Sequence, residues 1–325
     1  MAGPVRFGAL ALLTLSIVAG ASVAWAQAYP SRPIRAIVPF AAGSATDQIA
    51  RSFSARMTES LGQPIVVENR PGANGMIGAD AVAKALPDGY TILFGTNSTN
   101  AALKSLMKKL PYDQDTAFTP IGYMGSVPLI VAVNNDFPAK TLAELIALVK
   151  AKPGEVTFAT ASTSQRIASE MLAGMAGIRM THVPYKSSPN AITDLIGGQV
   201  NMFTADFAVM LPQVKAGKVR ALAVTSTKRA AVAPELPTVN EAAGLKDYEL
   251  IAFFGAYGPA AMPRDIVQKL NDAINAAARS KEVLDRFSAL GMETAPGTPE
   301  AFAQRTALEA VKWAKAIRDS GIEPE

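Results

Sequence analysis

Two residue types bound the chemistry open to this chain. Histidine occurs once, at His182, and cysteine does not occur. The lack of cysteine excludes disulfides, thiol nucleophiles, iron–sulfur ligation and cysteine-based zinc sites. One histidine excludes a histidine-rich metal centre, and any histidine-dependent reaction has to pass through His182. That residue sits in the strand-like run Met180-Thr181-His182-Val183-Pro184-Tyr185. A lone histidine there is read as a packing or hydrogen-bonding residue before a catalytic one. Gly72-x-x-Gly75-x-x-Gly78 has the wrong spacing for a dinucleotide turn, and Asn69-Arg70-Pro71 separates it from its strand. There is no phosphate-binding G-x-x-x-x-G-K-[ST], no G-x-S-x-G and no D-x-[DN]-x-[DN]-G loop. No cofactor and no metal are expected.

What remains is anion binding by turns. Pro39-Phe40-Ala41-Ala42-Gly43-Ser44-Ala45-Thr46-Asp47 follows a strand-like run and opens a helical one. In an open parallel sheet such turns lie at the carboxyl ends of strands, where ligands bind. Free N–H groups at a helix start favour carboxylate or phosphate, and small residues let a ligand approach the backbone. Ser44-x-x-Asp47 also fits a capping box with Asp in place of Glu; capping and ligand contact are compatible readings. Phe158-Ala159-Thr160-Ala161-Ser162-Thr163-Ser164 repeats the design, with Ser162-x-x-Gln165 as a second capping box. Gly95 to Asn100, including Asn97 and Ser98, is a third turn rich in hydroxyl and amide groups. Lys186, after Tyr185, would neutralise a ligand carboxylate from the second half of the chain, or be a solvated lysine. Asp206 follows the strand-like Val200 to Thr204 and reads as a helix cap before a ligand contact.

Strands and helices have to hold these turns. Strand-like runs fall at Ile34 to Phe40, Pro64 to Glu68, Tyr90 to Phe94, Leu129 to Val133, Val156 to Thr160 and Arg220 to Val224. Helical spacing occupies Thr46 to Leu61, with Ile49, Phe53 and Met57 on one face, then Thr141 to Lys150 and Ile167 to Met175. Arg264 to Ile322 is mostly helical, and Trp313 with Val311, Ala314 and Ile317 reads as helix core. This alternation predicts an α/β fold with mainly parallel sheets. Proline and glycine cluster around residues 120–140 and 227–265. These two breaks predict a discontinuous first lobe, 27–127 with 250–325, and an inserted second lobe, 128–249, with a ligand cleft between them.

Of the 325 residues, 49% are hydrophobic and 18% charged, which excludes a disordered chain. The formal charge is +4, and no basic run points to nucleic acid. Residues 1–26 read as a secretory signal peptide: Arg6, an apolar stretch from Ala9 to Val18, and Ala24-Trp25-Ala26 as the cleavage pattern, with cleavage after Ala26. No later stretch of about 20 uncharged apolar residues follows. Export without cysteine fits a bacterial periplasm.

At these residues the chain resembles the Bug-type periplasmic solute receptors of tripartite tricarboxylate transporters. The resemblance runs through nearly the whole mature chain. It is carried by Tyr29-Pro30-x-x-Pro33-Ile34-Arg35, Val38-Pro39-Phe40-Ala41-Ala42-Gly43 with Thr46-Asp47, Val67-Glu68-Asn69-Arg70-Pro71-Gly72-Ala73 and Pro87-Asp88-Gly89-Tyr90-Thr91. It continues in His182-Val183-Pro184-Tyr185-Lys186, Gly198-Gln199-Val200 and Ala216-Gly217-Lys218-x-Arg220-Ala221-Leu222-Ala223-Val224. The chain departs from the family pattern at Ser44 and Ser187, where glycine is usual, and at Ser162-Thr163-Ser164, where the loop is usually glycine-rich. Arg166 stands where histidine is common, and Phe253 where tryptophan is frequent. The resemblance implies a two-lobed periplasmic binding fold, type II-like, that closes on a ligand. It further implies a non-enzymatic receptor, delivering a small organic carboxylate to membrane permease subunits. The ligand class is a di- or tricarboxylate, an acidic amino acid or an aromatic acid. One carboxylate is then held by Phe40 to Asp47 and Ala161 to Ser164. A monomer is expected. The alternatives are a periplasmic sensor for a signalling protein, and an enzyme acting on a carboxylate with Asp47, Asp206, His182 or Lys186 as base.

Overall fold

The computed structural model describes residues 29–324, so the signal-peptide segment 1–26 lies outside the described residues. The chain begins with β1 (Ile34–Val38), α1 (Ala45–Leu61), β2 (Ile65–Asn69), α2 (Met76–Ala83) and β3 (Thr91–Thr96). A π-helical turn, Ser98–Ala102, leads into α3 (Leu103–Leu106). The long β4 (Phe118–Asn134) is followed by α4 (Leu142–Ala151), β5 (Thr157–Thr160), α5 (Thr163–Ala176) and β6 (Thr181–Pro184). Then come α6 (Ser188–Ile196), β7 (Met202–Asp206), α7 (Phe207–Lys215), β8 (Val219–Val224) and α8 (Val239–Ala243). The chain closes with β9 (Ile251–Pro259), α9 (Arg264–Arg279), α10 (Lys281–Ala289) and α11 (Pro299–Asp319). Among the described residues no helix is long and apolar enough to cross a membrane.

The strands run in the order β2-β1-β3-β9-β4-β7-β5-β6, with β8 also on β4. β4 belongs to both halves. Phe118 to Pro128 pairs with β9, and Leu129 to Asn134 pairs with β7 and β8. The result is a two-lobed α/β protein with one strand common to both sheets. The expectation of mainly parallel sheets needs correction. β1–β2, β1–β3, β5–β6 and β5–β7 are parallel, but every pairing of β4 and β9 is antiparallel. The reason is connectivity: β9 brings the chain back from the second lobe and lies between β3 and β4.

The break around residues 120–140 is also corrected, since most of it is β4. Pro120, Gly122 and Gly125 sit at irregularities of the ladder, with register shifts between Pro120 and Gly122 and between Tyr123 and Gly125. Bulges take residues that ordinary strand positions exclude. Gly125 has φ 155 and faces the Glu293 carbonyl, 2.8 Å from where a Cβ would stand. The second break likewise contains α8 and β9.

Where the lobes join, Thr225 ties its own segment to two others. Its Oγ1 accepts from Leu129 N–H at 2.7 Å and donates to the Leu250 carbonyl at 2.6 Å. Its backbone pairs with the same two residues at 3.0 Å each. The core follows the apolar faces read from sequence: Ile49, Phe53 and Met57 of α1 are buried against β1, β3 and α9 residues. Leu142, Leu145 and Val149 of α4 form a second cluster with Phe158, Leu222 and Tyr248. On α11, Trp313 and Ile317 are core as expected, but Val311 is 72% exposed and is not. Its position turns outward while Trp313 faces in, so the stripe is narrower than the spacing suggested.

Candidate ligand-binding site

The turn after β1 is fixed by one carboxylate. Asp47, in the first turn of α1, accepts from Gly43 N–H at 3.0 Å, Asn69 Nδ2 at 2.9 Å and Arg51 Nε at 3.1 Å. Asn69 Nδ2 also donates to the Phe40 carbonyl at 3.0 Å. Burial alone would raise the Asp47 carboxyl. The bonds from Arg51, Gly43 and Asn69, with the Arg51 charge, outweigh that and hold it below the usual carboxylate range. Gly43 takes φ 80, the left-handed turn that glycine adopts without strain. Ser44 caps α1: its Oγ accepts Asp47 N–H at 3.2 Å. The reciprocal arm of the expected capping box reaches Gly43 N–H instead of Ser44 N–H, because Ser44 N–H is already given to the Ala41 carbonyl at 3.1 Å.

The turn after β5 differs from the sequence reading. Ser162 is the N-cap residue of α5, but its side chain caps nothing; it meets Ser164 Oγ at 3.1 Å. Gln165 Oε1 accepts Ala161 N–H at 2.7 Å, one residue before the N-cap. Neither arm of the expected capping box forms at Ser162, and its hydroxyl is turned away from the helix backbone. Asp206 is likewise an N-cap residue, of α7, without a side-chain cap. Its Oδ2 instead accepts from Gln165 Nε2 at 3.3 Å.

These turns meet. Phe40, Ala41, Ser44, Ala45 and Thr46 from the first lobe face Ala161, Ser162, Ser164 and Gln165 from the second across one narrow cavity of about 30 Å³. Thr96, Asn97 and Ser98 close it on one side, Lys186 to Ser188 on another, and Asp206, Ala252 and Phe254 complete it. Helices α1, α5, α6 and α7 all begin at this wall, so their first amides and positive dipole ends converge there. Ser187 caps α6 by accepting Asn190 N–H at 3.3 Å. Lys186 is exposed at the rim, where the cavity opens into a mouth lined by Asn74, Tyr185 and Asn190.

Asn97 is the sharpest feature. It is 0% exposed, and its Oδ1 accepts Phe253 N–H at 3.1 Å. That bond fixes the amide, and Nδ2 is left buried without a hydrogen-bond partner among the described residues. Ser98 Oγ and Thr163 Oγ1 are buried in the same condition. Buried polar atoms are ordinarily paired, so such orphans beside a cavity mark where a ligand atom belongs.

Of the residues singled out from sequence, Phe40, Ala41, Ser44, Thr46, Asn97, Ser98, Ala161, Ser162, Ser164, Lys186 and Asp206 line the cavity. Ala42, Gly43, Asp47 and Thr163 do not; Gly43 and Asp47 shape the turn behind it. Arg166 is half-buried on α5 beside Glu170 and does not line the cavity. His182 stacks on Phe158 with ring centroids 5.2 Å apart, and its Nε2 meets Thr160 Oγ1 at 2.6 Å, the packing reading. Thr96 belongs to the Gly95 to Asn100 turn read from sequence, whereas Ser188, Ala252 and Phe254 were missed. Ser188-Pro189 after Ser187 was a legible helix start, whereas Phe254 lies on the unrecognised β9.

Residues 49–322 match the family described as tripartite tricarboxylate transporter family receptor. Protein BugT of Bordetella pertussis is 37% identical over 299 residues, covering 91% of each chain. A Pseudomonas sp. protein encoded between tcbD and tcbE is 40% identical over 294 residues, 90% of this chain and 87% of that one. Among solved structures, a protein of R. palustris with adipate superposes with a TM-score of 0.88 at 32% identity, over 91% of this chain and 100% of that one. Periplasmic binding protein BugD gives 0.87 at 35% over 91% and 100%. MatC from Rhodopseudomonas palustris, with bound malate, gives 0.85 at 32% over 89% and 100%.

Proposed function

Since the chain belongs to the tripartite tricarboxylate transporter receptor family, we propose that its interlobar cavity captures a small organic carboxylate in the periplasm and that the protein hands it to the transporter's membrane permease. The observation that carries this reading is the orphaned pair Asn97 Nδ2 and Ser98 Oγ, set opposite the starts of α1 and α5 in one cavity. An unpaired buried polar group costs about 1–3 kcal/mol. A carboxylate oxygen that pairs both recovers that cost, and the helix ends add about 0.3–1 kcal/mol each for an anion. The relatives with adipate and with malate support a dicarboxylate of four to six carbons. The contacts are Phe40, Ala41, Ser44, Thr46, Asn97, Ser98, Ala161, Ser162, Ser164, Lys186 and Asp206, with Ala42, Gly43 and Thr163 shaping the turns behind them.

The protein acts as a receptor and not as an enzyme. The first lobe is 27–127 with 250–325 and the second is 128–249, closing about the strands tied by Thr225. Closure follows from contacts that a ligand makes with both lobes only when they meet, since a ligand shifts such an equilibrium by its differential affinity alone. Cleavage after Ala26 releases the mature chain.

A thermal-shift screen of organic acids tests the reading, because binding to the native state alone raises the melting temperature. Stabilisation by C4–C6 dicarboxylates, lost in Asn97→Asp and confirmed by calorimetry, is the expected result. No shift with any carboxylate refutes it, and equal shifts in the variant remove Asn97 from the contacts.

A further inference from the structure

We propose that Asp206 is a proton-bearing residue of the cavity: a ligand carboxylate binds in a hydrogen bond to the protonated Asp206 side chain, and capture takes up one proton. This rests on reading the cavity as a carboxylate site. Asp206 is 7% exposed at the end of β7 and lines the cavity with Asn97, Ser98, Ser162 and Ser164. Besides its own backbone amide, its side chain meets one partner among the described residues. Gln165 Oε1 is held by Ala161 N–H at 2.7 Å, so Nε2 has to face Ser188 Oγ at 3.0 Å and Asp206 Oδ2 at 3.3 Å. One carboxyl oxygen is thereby anchored, and the other is left for the cavity.

No cation neutralises this carboxyl among the described residues. Lys186 is the one cation lining the cavity, and it stands exposed on the rim. The titratable groups of the surrounding elements are otherwise engaged or turned away. Arg166 and Glu170 lie on α5, and Asp194 on α6 accepts from Tyr185 at 2.8 Å. Lys215 is at the far end of α7, His182 on β6 meets Thr160, and Asp47 is bound to Arg51 behind the first turn. None of them lines the cavity.

A ligand carboxylate in this space places a second negative group beside Asp206. Two carboxylates sharing a poorly hydrated site cannot both ionise cheaply, and one proton between them relieves the repulsion. The resulting O–H···O⁻ bond is among the stronger kinds. Burial alone already pushes Asp206 up, against the weaker pull of Gln165 and its own backbone amide. The proton comes from solvent and stays on Asp206 Oδ1, and no other bond changes.

Calorimetry with adipate and with malate, in buffers of differing ionisation enthalpy from pH 5.5 to 8.5, tests this in wild type and D206N. Wild type is expected to take up close to one proton per ligand, with affinity falling about tenfold per pH unit wherever free Asp206 is ionised. D206N carries a permanent N–H donor, so its binding is expected to lack proton uptake and to vary little with pH. Wild-type binding without proton uptake, or a pH dependence that persists in D206N, overturns the proposal; the first outcome makes Asp206 an acceptor for a ligand hydroxyl or ammonium. Failure of both acids to bind counts against the carboxylate reading of the cavity instead. Any other carboxylate that the thermal-shift screen shows to bind then takes their place, and the Asp206 carboxyl, assigned by ¹³C NMR against D206N in that complex at pH 7, decides the inference: a protonated carboxyl upholds it and an ionised one overturns it.

Discussion

Phe253 N–H donates to Asn97 Oδ1 at 3.1 Å, joining residues 156 apart in sequence and fixing which end of the Asn97 amide faces the cavity. Asn97→Asp keeps that acceptor and removes only the outward N–H donor. A hydrogen bond to a charged group contributes about 1.5–3 kcal/mol, and about 1.4 kcal/mol is tenfold in affinity. Calorimetry with a carboxylate ligand is expected to show at least a tenfold to hundredfold loss, enlarged by like-charge repulsion at neutral pH. An unaltered dissociation constant would remove Asn97 from the ligand contacts.

Two serines that look alike in sequence should separate experimentally. Ser44 Oγ accepts the Asp47 N–H, whereas among the described residues Ser162 Oγ meets only Ser164. Loss of a side-chain N-cap costs about 1 kcal/mol. Ser44→Ala is therefore expected to lower both stability and affinity, and Ser162→Ala to lower affinity with stability within about 0.5 kcal/mol of wild type. Urea denaturation beside ligand titration measures both. Equal destabilisation by the two substitutions would contradict the difference in capping.

That pair also shows how far the sequence can be read. Strand, small-residue turn and helical spacing are local signals, and they locate the turns at Phe40 to Asp47 and Ala161 to Ser164 from chain neighbours alone. What a hydroxyl bonds to is not local. Ser162 fails to cap because its oxygen meets Ser164, while Gln165 holds Ala161 and Asp206 through contacts that sequence spacing does not encode. Asp206 reads as a cap for the same reason. The first half of β4 and all of β9 are hidden because prolines and glycines, ordinarily loop signals, interrupt them, Pro120, Gly122 and Gly125 beside register shifts of the ladder. The convergence of the turns depends on β4 passing through both sheets, a relationship among residues more than a hundred positions apart.

Asp47 gives a prediction in acid. Hydrogen bonds and the Arg51 charge hold its carboxyl below the ordinary range despite burial. Such a group stabilises the fold fully above its unfolded value, near about 3.9, and that contribution is lost as pH falls through the lower folded value. Asp47→Asn should melt below wild type at pH 7, and the gap should narrow progressively below about pH 4. Arg51 is half exposed, so solvent screens its charge, and the bonds from Gly43 and Asn69 share with the Arg51 hydrogen bond in setting the size of the gap. Melting temperatures from pH 7 to 2 check this; a gap that stays constant throughout would show that Asp47 acts without its charge.

Gly78 links packing to the site from outside it. A Cβ there would stand 2.9 Å from both Cα and Cβ of Pro39 and 3.0 Å from the Arg70 carbonyl. Two of these are backbone atoms that cannot rotate away, so α2 or the turn after β1 has to shift. Overpacking of this kind costs about 1–3 kcal/mol. The displaced residue is the one before Phe40, which lines the cavity. Gly78→Ala is thus expected to lower the melting temperature and to weaken ligand binding by several-fold, although residue 78 touches no ligand. Gly62→Ala is the comparison: its Cβ meets nothing within 4 Å, but φ 70 strains an L residue, and the site is distant from the cavity. It should cost stability and leave affinity within about twofold, because strain at a helix end remote from the turn moves no cavity atom. If both variants weaken binding in proportion to their loss of stability, the effect at Gly78 is global softening and not displacement of Pro39.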